Sequence, residues 1–145
     1  MSLQELSFRN EIVRETPAPG EIDRLLAAVG RRLEDAAHAS LHPETRLEQA
    51  YHAILGCAVI GLRTRGFRVS DRPGHHIVAL ESLADTIGIS MDRIDYFQTL
   101  RDLRNKDIYA GSSHVSPSQA TEAVGEALRR ASETREWVLT QRQAV

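Results

Sequence analysis

The residues best suited to chemistry lie in one run, Arg101-Asp102-Leu103-Arg104-Asn105-Lys106-Asp107-Ile108-Tyr109. On a helix Arg101, Arg104 and Asn105 share a face, because side chains three and four positions apart are neighbours, and Tyr109 follows Asn105 one turn later. A guanidinium offers its donors in a flat fork, an amide both donates and accepts, and a phenol does the same. Set along one edge, these groups can hold a phosphate or the edge of a base. The alternative for the same run is a solvated face, on which pairs among Arg101, Asp102, Arg104, Lys106 and Asp107 contribute only about 0.3 kcal/mol each.

The histidines are the next candidates. His75 and His76 are adjacent, so on a helix they point about 100° apart and do not form a natural chelate. His114 stands beyond the polar run, and His38, His42 and His52 are scattered. No metal site is expected from these spacings. Cys57 is the single cysteine and lies among small residues, where a buried thiol packs as a small hydrophobe and is not a nucleophile. The chain has no glycine-rich phosphate loop, no G-x-S-x-G and no paired-carboxylate signature, so no cofactor is expected.

These groups have to be positioned by helices. Residues 1–19 carry few apolar side chains before the Thr16-Pro17-Ala18-Pro19-Gly20 breaker and read as an N-terminal arm, leaving 20–145 as a single helical-bundle domain. Ile22, Leu25, Leu26, Val29, Leu33 and Ala36 recur at helical steps and predict a helix over about 20–40. Leu47, Ala50, Tyr51, Ile54, Leu55, Ala58, Val59 and Leu62 predict a central helix over about 43–65. The small residues Ala53, Gly56, Cys57 and Gly61 form a second strip on it. A glycine inside a helix costs about 1 kcal/mol against alanine, so this strip implies a close helix contact.

A loop from Phe67 to Gly74 leads to a short helix carrying Ile77, Leu80, Leu83, Ala84 and Ile87, ended by Gly88. Ser90 caps the helix that carries Met91, Ile94, Phe97, Leu100 and Leu103 and then the polar run, until Gly111-Ser112-Ser113 breaks it. Phe97 has the period of the seam, which leaves Tyr96 outside it. Ser116-Pro117-Ser118-Gln119 is a capping box with proline at the first helical position, and starts the last helix. Trp137 near its end reads as closing a core or an interface. Five helices and no strand give an all-α, up-down bundle.

Composition limits the setting. The 145 residues are 41% hydrophobic and 26% charged, with 18 Lys+Arg against 20 Asp+Glu, a formal charge of -2. That is the balance of a soluble domain with its own core. It carries no global basic field, so any nucleic-acid site must be local. No apolar run approaches the roughly 20 residues that span a bilayer, and no signal-peptide pattern is visible, so the expectation is a cytoplasmic protein with no membrane partner.

The order of features resembles the HEPN superfamily of small helical-bundle proteins. The resemblance rests on Ala50-Tyr51-His52-Ala53 and Gly61-Leu62 in a long helix, Gly66-Phe67-Arg68, Gly74-His75-His76 opening a short helix, Leu103-Arg104-Asn105-Lys106-Asp107-Ile108-Tyr109, and a capped last helix. It covers about 43–140. It implies a four- to five-helix bundle that forms a homodimer, with the Arg-Asn helix ends of two subunits meeting in a shared cleft. Many such proteins are metal-independent ribonucleases of toxin-antitoxin or defence systems. Others bind RNA or a nucleotide without cutting, and some work with a partner nucleotidyltransferase or antitoxin.

The nuclease pattern of that family is an arginine followed, after four to six residues, by a histidine. Arg104 and Asn105 match its first half, but after four intervening residues comes Tyr109 in place of a histidine. A phenol with a pKa near 10 is ionised about one part in a thousand at pH 7, whereas an imidazole near 6.5 both takes and gives protons there. Positioned acid-base catalysis is worth about 10² to 10⁴ in rate, so the resemblance points to a non-catalytic module binding RNA or a nucleotide through Arg101, Arg104, Asn105 and Tyr109. Two alternatives stand beside it. One is a ribonuclease in which His75, His76 or His114 enters the cleft and supplies the missing imidazole. The other is a protein-interaction adaptor.

Overall fold

The computed structural model describes residues 2–110 and 114–144, with side chains described outside positions 108–110. The Tyr109 side chain and the expected Gly111-Ser112-Ser113 break lie outside the described residues. Among the described residues the chain forms six helices: α1 (Leu3–Phe8), α2 (Glu21–Ala36), α3 (Pro43–Thr64), α4 (His75–Glu81), α5 (Met91–Ala110) and α6 (Pro117–Gln143). A 3-10 turn at Ser82–Ala84 extends α4, and two short strands, β1 (Ile12–Arg14) and β2 (Phe67–Val69), pair with each other. No helix of the described residues is long and apolar enough to cross a membrane.

Helix α3 is the centre of the molecule because its apolar seam wraps most of its circumference. Leu47, Ala50, Tyr51, Ile54, Cys57, Ala58 and Ile60 have no exposed surface. It packs against α2 and α6, with α4 and α5 also resting on it. Pro43 at its first turn and Gly66 beyond its end, at φ 83°, set its limits. Helix α6 begins at the expected capping box, with Ser116 Oγ accepting from the Gln119 amide and Gln119 Oε1 accepting from the Ser116 amide. Helix α2 stops at Ala36, short of the expected limit near 40; the residues that follow, Ala37 to Leu41, are all exposed, so no buried contact extends the helix.

The strip of small residues on α3 does what its cost implied. A β-carbon on Gly56 would lie 2.7 Å from Val29 Cγ2, and one on Gly61 would lie 2.6 Å from Thr86 Oγ1 and 3.0 Å from Thr86 Cβ. Thr86 is itself buried and bonded to the Ser82 carbonyl, so it has little room to yield. Gly61→Ala is therefore expected to destabilise the fold by about 1–3 kcal/mol through overpacking, partly offset by about 1 kcal/mol of helix propensity. Chemical denaturation checks this; a variant more stable than wild type would show that the Thr86 turn moves aside.

The N-terminal residues correct one expectation: the chain is not free of strands. Ile12 pairs with Val69 and Arg14 with Phe67 in an antiparallel ladder, and Leu3, Leu6 and Ile12 bury against Leu62 and Phe67 as a second, smaller core. The physical reason is long-range pairing: three-residue strands carry too short a pattern to be read locally, and each becomes stable only against the other.

Arg63 clamps this joint. It is buried, donating to the carbonyls of Glu15 at 3.0 Å and Phe67 at 3.2 Å while pairing with Glu21 Oε2 at 2.6 Å and Glu15 Oε1 at 3.2 Å. It thus tethers α3 to β2 and to the start of α2. The hydrogen bond from Arg63, helped by the Ala18 amide, holds the Glu21 carboxyl down to about 2. A carboxylate depressed in this way favours the fold at every pH above its ordinary value near 4.5 and loses that contribution as pH falls toward 2.

Candidate functional site

Helix α5 buries Ile94, Phe97 and Leu100 in the core, and this fixes the rotation of the helix about its axis. Arg101, Arg104 and Asn105 are thereby turned toward the first turn of α4. Gly74, at φ 84°, lets the chain turn into that helix and brings His75 and His76 to the same place. The Gln98 amide joins the two helices, donating to the Ile77 carbonyl at 3.2 Å while its oxygen accepts from Arg101 Nε at 3.2 Å. The result is an open cleft of about 260 Å³ lined by Gly74, His75, His76 and Ile77 from α4 and by Arg101, Arg104 and Asn105 from α5. A larger open hollow of about 530 Å³ lies beside α1, but Ser2, Gln4, Glu5, Phe8 and Arg9 around it form no comparable constellation.

Arg104 is the most informative group. Its guanidinium carbon sits 5.1 Å from the centre of the Tyr51 ring, and its Nη2 donates to Asn105 Oδ1 at 3.0 Å. Its Nε is buried and has no hydrogen-bond partner among the described residues. A cation held over an aromatic face keeps its position without a carboxylate, and the edge of the guanidinium that lines the cleft can meet an incoming anion. Arg101 differs, since Asp102 Oδ1 lies 3.1 Å from its Nη2.

Tyr51 links the two sides of the cleft. Its ring is wholly buried under Arg104, while its hydroxyl lies 3.4 Å from His76 Nδ1. Burial raises the Tyr51 phenol above its ordinary value of 10.0, against the pull of Arg104 and Arg101, so it stays protonated. The His75 and His76 rings meet edge to face with centroids 4.6 Å apart. His75 Nδ1 lies 3.2 Å from the Arg72 carbonyl, which can only accept, so the proton sits on Nδ1 and a neutral ring leaves Nε2 as an acceptor. Burial, His75 and Arg104 push His76 below the ordinary imidazole value of 6.5. Burial, then Arg32 and Arg104, do the same to His52, against the opposing effect of Glu48, whose carboxylate is 3.7 Å away.

An imidazole lowered in the fold takes up its proton more readily in the unfolded chain. The unfolded state then binds more protons, so stability rises with pH, is fully present above about 6.5 and is lost as pH falls toward the folded-state value. The ligand-free protein is expected to melt lower at pH 5 than at pH 7.5 in a low-salt, phosphate-free buffer, and His76→Gln is expected to remove part of that difference. Equal pH sensitivity in wild type and variant would assign the effect to other groups.

The structure brings Arg101, Arg104 and Asn105 together with His75 and His76, which the sequence ranked below them. His114 is exposed and is not among the residues lining the cleft. Tyr51, His52 and Gln98 were not singled out for the site. Gln98 carried a signal, standing three positions before Arg101 on the same helix face. His52 lies one turn after Glu48 on α3, but nothing local ties either it or Tyr51 to residues some fifty positions away. Cys57 is buried, and burial pushes its thiol up to about 11, so it packs as expected and does not act as a nucleophile. Among the described residues no group of three or more His, Cys, Asp or Glu could hold a metal ion. Compared with protein-family models, curated proteins and solved structures, the chain matches none.

Proposed function

We propose that the chain is a HEPN-like module that binds the phosphate of RNA or of a nucleotide in the cleft between α4 and α5. The observation that carries this reading is Arg104, stacked on Tyr51, steered by Asn105 and left without a carboxylate partner among the described residues. A guanidinium in this state presents two or more donors to an oxyanion in fixed geometry. The Asn105 amide supplies a further donor beside it on α5, and the two imidazoles face it from α4. The four- to five-helix bundle, the homodimer and the partner nucleotidyltransferase or antitoxin implied by the HEPN resemblance belong to this proposal.

A second reading, a metal-independent ribonuclease, is favoured by one specific observation: His76 and His75 line the same cleft as Arg104 although they stand before it in sequence and outside the arginine-to-histidine spacing. A neutral imidazole there can take the proton of a ribose 2′-hydroxyl while Arg104 faces the phosphate. One experiment separates the readings. A labelled structured RNA pool is incubated with the protein in chelator, and both mobility shift and cleavage are followed. Retardation without cleavage supports the binding module. Cleavage lost in His76→Gln and Arg104→Ala supports the nuclease, and neither outcome removes both.

A further inference from the structure

The charge around the cleft is uneven. Arg101, Arg104, His75 and His76 face it, and among the described residues no carboxylate lines it. The acids nearby are turned to other work: Asp102 pairs with Arg101 at its exposed edge and Glu48 approaches His52 on α3. The volume, about 260 Å³, is below the roughly 300–1,000 Å³ that encloses a drug-sized ligand. It has room for a phosphate and part of a sugar. A strand passing through would need a basic groove that follows its backbone on both sides. Here Asp102 pairs with Arg101 at the exposed edge, acids and bases alternate in the neighbouring sequence (Asp71 beside Arg72, Lys106 beside Asp107), and the whole chain has a formal charge of -2.

These observations point to one kind of phosphate. An internal phosphodiester carries one charge and must continue on both sides, whereas a terminal phosphate monoester carries two near neutral pH and continues on one side only. We infer that the cleft is a proton-linked receptor for a terminal phosphate monoester, in which Arg104 and Arg101 hold the dianion and His76 becomes protonated as it binds. This inference rests on the phosphate-binding reading above and selects the ligand group within it. The groups facing the histidines are Tyr51 and His52 from α3 and Arg101 and Arg104 from α5, with the Arg72 carbonyl on His75 and with Glu48 and Arg32 acting on His52. Without an anion this surround is unfavourable to a protonated His76, and a bound dianion reverses its sign.

The pH profile follows from the two titrations. The His76 imidazole, held below the ordinary 6.5, loses its proton as pH rises toward neutral, and a phosphate monoester loses its second charge below a pKa of about 6. Affinity for a monoester therefore peaks near pH 6, whereas affinity for a diester, which has no such titration, rises as pH falls and levels off.

The test is calorimetric titration of the full chain between pH 5 and 8.5 with adenosine monophosphate, inorganic phosphate and the dinucleoside monophosphate ApA, which has one internal diester and no terminal phosphate. Expected is binding of adenosine monophosphate with a maximum near pH 6, at least about tenfold weaker at pH 8, with proton uptake read from buffers of different ionisation heat, and much weaker binding of ApA. Inorganic phosphate binding as tightly as the nucleotide would make the free ion the source of the same group, and tighter nucleotide binding would make it a nucleotide or RNA end. His76→Gln should flatten the profile while Arg104→Ala lowers affinity at every pH. ApA binding as tightly as adenosine monophosphate, or an affinity unchanged from pH 6 to 8, overturns the inference and leaves phosphate binding at the cleft in place. No binding of any probe overturns both.

Discussion

Arg104→Ala is expected to weaken binding of a short 5′-phosphorylated RNA by roughly 10- to 150-fold, the equivalent of the 1.5–3 kcal/mol associated with hydrogen bonds to a charged group. The size of the effect follows from how the side chain is held. Stacking on the buried Tyr51 and bonding to Asn105 Oδ1 spend little of its donor capacity. Arg104→Lys keeps the charge but loses the planar fork and the stack, and should fall between wild type and alanine. Arg101→Ala should cost less, because Asp102 already offsets that charge. Thermal unfolding should move little in Arg104→Ala, since a cation over an aromatic ring contributes only about 0.5–2 kcal/mol. Unchanged RNA affinity by mobility shift or anisotropy would exclude this cleft as the phosphate site.

Leu6→Ala is expected to destabilise the protein by about 2–5 kcal/mol, as for other wholly buried leucines, and to lower the melting temperature by roughly 5–15 °C. Leu6 has no exposed surface and sits among Leu3, Ile12, Leu62 and Phe67, so its removal opens a cavity at the junction of α1, β1, β2 and the end of α3. Phe8→Ala is the internal control: Phe8 is 89% exposed on the same helix, and its replacement should change stability by less than about 0.5 kcal/mol. A Leu6→Ala variant as stable as the Phe8→Ala variant would show that the N-terminal segment folds independently of the bundle. Chemical denaturation with both variants decides it.

The two predictions fall on opposite sides of what could be read locally. The helices of the bundle were legible because their signals are local: a 3.6-residue apolar period from Leu47 to Leu62, a proline at the start of α3, a capping box at Ser116. The shared face of Arg101, Arg104 and Asn105 was legible for the same reason, since helical geometry alone puts residues three and four apart together. The burial of Phe97 follows from that periodicity too, whereas Tyr96, which it leaves outside the seam, is half-buried against the main core, as is Trp137.

What could not be read is whatever depends on residues far apart in sequence meeting in space. Three-residue strands become strands only when Ile12 finds Val69, so no strand was expected. Nothing in the spacing of Tyr51, His76 and Arg104 announces that one ring lies under a guanidinium and beside an imidazole.

The sequence by itself determined a mostly helical chain, the central place of α3 and a polar edge on α5, because periodicity and capping act over a few residues. Only the tertiary structure decided that His75 and His76 join that edge, that Tyr51 supports Arg104 from below and that the N-terminal residues complete a second core. Those outcomes depend on how the buried faces of α3, α4 and α5 pack. Packing fixes the rotation of each helix about its axis, and with it the direction in which every polar side chain points.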